Sequence, residues 1–141
     1  MSQRNDWAVG GREPPGKGGV LVNVPEAIVK RIYVRGSLSN AGSGLVFRLR
    51  NTLVSGHLTA AGAMEVDGKA VPSSSIVFRT EGAMVKAVDV TEESPLGLPV
   101  GMELEVNAEG VVLDPGRHQI RFPVVIREIG SVTLTLSDEI R

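Results

Sequence analysis

Two histidines and a pair of adjacent acids are the groups in this chain best placed to do chemistry. His57 lies in "TLVSGHLTAAG" and His118 in "DPGRHQIRF". Glu92-Glu93 sits in the loop "DVTEESPLGLPVG". Paired carboxylates can push each other's pKa values apart and so divide acid and base roles. Neighbours in sequence usually point different ways, however, and a solvated loop accounts for Glu92-Glu93 more simply. Neither histidine has a carboxylate at the short spacing that a metal site requires, so no metal ligand and no catalytic residue is assigned. His118 follows a Pro-Gly turn and, by parity, shares a face with Ile120, which makes it a strand residue near a sheet end. His57 follows Gly56 at the start of a strand, a position from which a rigid framework presents contacts. An enzyme using His57 or His118 together with the Glu92-Glu93 loop remains a minority reading.

The other candidates divide the same way. Asp67 and Asp114 are turn formers. Glu103 and Glu105 occupy outward strand positions. Ser73-Ser74-Ser75 has no nucleophile-elbow pattern and reads as a turn. Gly16-Lys17-Gly18-Gly19 lacks both the spacing and the Ser or Thr of a phosphate loop. The densest polar cluster is "FRLRNTLVSGHL", where Arg48, Arg50, Asn51, Thr52 and His57 form the expected partner or substrate contact surface. Arginines of this kind grip carboxylates through paired hydrogen bonds.

The elements that must position these groups repeat every two residues. Met102 to Val106 alternates apolar and charged side chains, and Val132 to Leu136 alternates apolar side chains with threonine. Ile120, Phe122, Val124 and Ile126 share one face; Phe47 and Leu49 oppose Arg48 and Arg50. This is the pattern of strands buried on one side and wet on the other. Turn chemistry separates them: Asn40 to Gly44, Asp67-Gly68, Glu81-Gly82, Asp114-Pro115-Gly116 and Ile129-Gly130. The expected fold is therefore all-β, an antiparallel sandwich of immunoglobulin-like general architecture. "VPEAIVK" predicts a short N-terminal helix over 25–31, with Pro25 at its first position. Pro123 cannot donate to a ladder, which places its strand at an edge or at a bulge.

Residues 1–22, rich in Gly and Pro at their start, are expected to form a flexible tail, and 23–141 a single sandwich domain. A purine-rich coding stretch at Gly16 to Val20 would suit a ribosome-binding sequence, so translation from a Val codon at 22 or 24 would leave the tail untranslated in vivo.

The 141 residues suffice for one domain with a core. A net charge of −1 supplies no basic field for nucleic acid, and cysteine is absent, which removes disulfides and thiolate chemistry. No apolar run is long enough for a membrane span and no secretory signal is evident, so a cytoplasmic location is expected. Three of the five aromatics, Phe47, Phe78 and Phe122, fall at core positions, which argues against a stand-alone sugar-binding module.

The order of Val66-Asp67-Gly68-Lys69, Val71-Pro72, Ile76 to Phe78 and Leu113-Asp114-Pro115-Gly116-Arg117-His118 resembles the small β-subunit family of bacterial C-glycoside deglycosylases, formerly catalogued as a domain of unknown function. The resemblance spans roughly residues 44–127. It implies a non-catalytic sandwich subunit supporting a larger barrel-type subunit, with no cofactor bound by this chain and a divalent metal in the partner. The alternative is a stand-alone, homo-oligomeric binding or structural sandwich. Self-association is compatible with either.

Overall fold

The computed structural model describes residues 22–42 and 44–140. Residues 1–21 of the expected tail, with the Gly16-Lys17 stretch, lie outside the described residues, whereas Val22 and Val24, the alternative start positions, lie within them. The chain forms an all-β sandwich, antiparallel except for one short pair, with a single short helix near its start.

One sheet is built on two long strands, β11 (Gly116–Ile126) and β12 (Gly130–Ile140), paired without interruption from Gly116↔Ile140 to Ile126↔Gly130. Their hairpin closes over Arg127, Glu128 and Ile129, and Gly130 takes the positive φ of 95° that such a three-residue loop needs. β1 (Val22–Asn23) adds to β12 in parallel. On the other side of β11 lie β4 (Gly56–Ala61), itself paired with β9 (Leu96–Leu98), and β5 (Met64–Val66), paired with β6 (Lys69–Val71). The second sheet runs β2 (Ser39–Ala41), β3 (Gly44–Arg50), β10 (Glu103–Glu109), β7 (Ile76–Arg79), β8 (Met84–Lys86). Ser73–Ser75 is a 3-10 turn, as its sequence suggests.

The period-two pattern places the core. Ile120 and Phe122 of one sheet, and Phe47, Phe78 and Val106 of the other, are almost completely buried. The Phe78 and Phe122 rings meet across the gap with centroids 6.0 Å apart. The alternate positions Arg48, Glu103, Glu105 and Arg121 face outward and pair across neighbouring strands. Such exposed pairs stabilise by about 0–1 kcal/mol each.

Two expectations shift. The helix α1 covers Glu26–Ile32, one residue later than expected, because Pro25 holds an extended ψ of 146° and stands outside the helix as its cap. Pro123 is not on an edge strand, since β11 has β12 on one side and both β4 and β5 on the other. Pro123 falls where the neighbour changes from β5 to β4, and there its carbonyl accepts from Gly62 N–H at 2.9 Å. In an antiparallel strand the N–H and C=O of a residue point the same way, so the missing donor faces this gap and no ladder bond is lost. The register shift of β11 lies two residues on, between Val125 and Ile126. Among the described residues no helix is long and apolar enough to cross a membrane.

Candidate functional site

The two sheets part at one end of the sandwich and leave an apolar cavity of about 240 Å3. Its walls are the inward positions that the strand alternation dictates. Phe122, Val124 and Ile126 of β11 face Met102, Leu104 and Val106 of β10. Ile28 and Ile32, one turn apart on α1, close one flank, while Val29 between them is buried in the core. The floor reaches Phe78, so the cavity runs from solvent into the centre of the core.

The rim is unusual for a loop and a turn. Leu53 and Val54, between β3 and β4, and Ile129, in the β11–β12 hairpin, line the mouth; Val54 is 69% exposed and Ile129 67%. Exposed apolar side chains gathered around an apolar cavity mark a binding surface more often than chance decoration. Asn51 fixes the loop. Its Nδ2 donates to Leu98 O at 2.7 Å and to Val54 O at 3.0 Å, and its Oδ1 accepts from Leu53 N at 3.0 Å. Thr52 Oγ1 donates to Arg31 O at 3.1 Å, tying the loop to α1.

The five residues expected to make contacts thus separate. Arg50 and Asn51 line the cavity. Thr52 anchors the loop that carries Leu53 and Val54. Arg48 leans on Glu103 at 3.6 Å, out on the sheet surface. His57 is held by Glu128, which accepts from the His57 backbone N–H at 2.9 Å and from Nδ1–H at 2.7 Å. Those two hydrogen bonds, the side-chain one first, keep the Glu128 carboxyl below its ordinary range. Gly56 makes room for this carboxylate, since a Cβ there would stand 3.1 Å from Glu128 Oε1.

At the opposite end of β11, His118 is only 13% exposed and both its ring nitrogens face acceptors. Nδ1 donates to Asp67 Oδ2 at 2.6 Å and Nε2 to Asp114 O at 2.7 Å, an arrangement that only the imidazolium satisfies fully. These two partners, Asp67 first, raise the pKa of His118. Asp67 is lowered in turn, by the Gln119 backbone N–H and then by His118. Asp67 and Gly68 both hold positive φ, 54° and 85°, so the two-residue turn is type I′ and aims the Asp67 carboxylate at β11. Nearby, Tyr33 Oη donates to Asp138 Oδ2 at 2.6 Å; burial and this bond push the Tyr33 phenol up to about 12. Burial works to raise Asp138, but hydrogen bonds from Tyr33 and the Glu139 and Gly36 backbones outweigh it and leave the carboxyl lowered.

The sequence spacing hid both histidine–acid pairs, because their partners lie 71 and 51 residues away. Glu92 is bound by Arg127 at 3.5 Å and is not directed at a histidine. Among the described residues, no three or more His, Cys, Asp or Glu gather so as to hold a metal ion. The cavity itself was also missed. Its one sequence signal is apolar residues where turn formers are expected: Leu53-Val54 in a loop and Ile129 before a turn glycine.

Residues 28–141 match the family model described as "Hydroxymethylglutaryl-CoA reductase, N-terminal domain". A comparison with curated proteins found no match. The family match overturns the resemblance to the C-glycoside deglycosylase small subunit, and with it the reading as accessory subunit of a glycoside-active complex and as a domain of unknown function. The stand-alone homo-oligomeric alternative gains nothing from it. The reason for the error is physical. Val-Asp-Gly-Lys is a type I′ hairpin, Val-Pro ends a strand and Asp-Pro-Gly turns into one, so the borrowed signature consisted of pieces that any sandwich with these turns reuses.

Proposed function

Because this chain belongs to the family of hydroxymethylglutaryl-CoA reductase N-terminal domains, we propose that it is the non-catalytic module of a cytoplasmic reductase system acting on hydroxymethylglutaryl-CoA. In this reading it binds through its apolar mouth, and the larger protein partner is the catalytic body. The observation that carries the reading is the family match over 28–141, which takes in nearly all of the described sandwich.

The chemistry of the mouth supports a division of labour. A hydroxymethylglutaryl group carries a carboxylate and a hydroxyl, and burying either without partners is costly. The walls from Ile126 to Phe122 and from Met102 to Val106 offer no hydrogen-bonding side chain. The acyl group of the substrate therefore belongs on the partner. His57 and His118, the candidate proton carriers, are each held by their own carboxylate, which suits posts of structure better than groups of catalysis.

Mixing the purified chain with the hydroxymethylglutaryl-CoA reductase of the same cell should give a faster-sedimenting complex and an altered reductase turnover. Absence of a complex, or reduction of hydroxymethylglutaryl-CoA by the chain alone, would refute the proposal.

A further inference from the structure

We infer that the inter-sheet cavity is filled by this chain's own Trp7-Ala8-Val9 segment, which lies outside the described residues and turns back into the mouth with the Trp7 indole between the sheets. The inference goes beyond the proposed function and concerns this chain alone. A partner entering the same mouth must displace the segment.

Connection comes first. β1 pairs with β12 in parallel, Val22 beside Val132 and Asn23 beside Thr133. Val24 donates its N–H to Thr133 O at 2.9 Å and lines the cavity. Because this pair is parallel, the chain preceding Val22 leaves the sheet toward Gly130 and the Ile129 rim. Residues 1–21 are thus tethered at the mouth itself. Fifteen residues separate Trp7 from Val22, a reach of up to roughly 50 Å at about 3.3 Å per residue. The lining of β11 from Ile126 to Phe122 needs only about 13 Å of that. Such a tether holds the segment at an effective concentration on the order of millimolar, so a weak apolar contact is enough to fill the site.

Composition comes second. From Gly10 to Gly19 the chain reads "GGREPPGKGG", entirely Gly, Pro and charged residues. Trp7-Ala8-Val9 is an uncharged apolar island between Asp6 and Gly10. A connection of that kind contributes nothing to a core, whereas the island carries a side chain that buries more area than an aliphatic one.

The walls come third. The volume of about 240 Å3 equals roughly eight waters at about 30 Å3 each, but a buried water needs two to four polar partners. Leu104, Val106, Phe122 and Leu134 supply none. An indole is a large apolar body with a single N–H at its edge. The few polar residues of the lining, among them Asn51, Ser55 and Glu128, carry the acceptor oxygens that one such donor needs. No charge has to enter.

The test uses the full chain, in which Trp7 is the sole tryptophan. Its emission should be blue-shifted from that of the urea-unfolded chain and several-fold less accessible to acrylamide. Its ring protons should show nuclear Overhauser contacts to methyls of Ile28, Val124 or Ile126. Val124→Phe and Val132→Phe, which fill the cavity from two strands, should each return emission and quenching to unfolded-like values while circular dichroism is retained. Trp7→Ala should lower Tm in the wild-type background and leave it unchanged in Val124→Phe, because the two changes share one site. If the filling variants do not fold, the wild-type contacts decide alone. A water-exposed indole in the wild type, or one without contacts to those methyls, would overturn the inference. Emission that reddens on dilution would overturn it as well, since a second copy would then supply the ring. None of these outcomes touches the proposed function, which stands on the family match.

Discussion

The two ends of the β11–β12 hairpin are made from the same strands and solve opposite problems. At the Gly116–Ile140 end two inward positions beside the buried Ile140 are polar: His118 stands opposite Asp138 in the register, and each reaches a partner from elsewhere, Asp67 and Tyr33. At the Ile126–Gly130 end the inward positions are Val124, Ile126 and Val132, and the sheets part around a void. Directional hydrogen bonds can seal a sandwich end because their geometry specifies who closes it. Aliphatic side chains carry no such directional instruction, and here they leave a cavity between the sheets.

The largest effect that would sharpen this contrast is expected at the shared floor. Phe122→Ala removes a ring that is 2% exposed and packs on Phe78, and should cost about 3–5 kcal/mol in urea unfolding. Ile126→Ala, on the same face but already bordering the void, should cost less than half of that. Equal losses would mean that the mouth is as tightly packed as the core.

A smaller effect is expected at the sealed end. His118→Gln should cost about 1 kcal/mol near pH 6, a figure set by hydrogen bonds whose Asp67 partner is partly screened by solvent. His118 is raised in the fold, so its contribution is complete below its ordinary value of 6.5 and fades as pH rises through the higher folded value. Asp67 is lowered, so its contribution is complete above its ordinary 3.8 and fades as pH falls through the lower folded value. Wild-type Tm should therefore be highest between these limits and decline above neutrality, with a flatter alkaline limb in His118→Gln. Parallel curves for the two proteins would show that the clamp carries no proton-linked stability.

The smallest effect belongs to neither end. Arg48→Ala breaks an exposed pair with Glu103 and should change stability by about 0.5 kcal/mol or less. A larger loss would make the outer sheet face a third structural region.

Local order along the chain was enough to specify the long strands and the sandwich, but not the short strands β1, β2, β8 and β9. Alternation at 102–106 and 120–126 decides which side chains go inward whatever the sheet partners are, and Asp67-Gly68 selects its turn through φ alone. Local order also marked Arg50 and Asn51 as worth attention, without revealing that Asn51 acts by shaping the loop beside them. Tertiary structure alone decided which acid meets which histidine and why Pro123 sits harmlessly in a central strand, because those outcomes depend on residues brought together across more than fifty positions. It alone decided the cavity as well. A void is set by how far two finished sheets stand apart, and no single strand carries that distance in its own sequence.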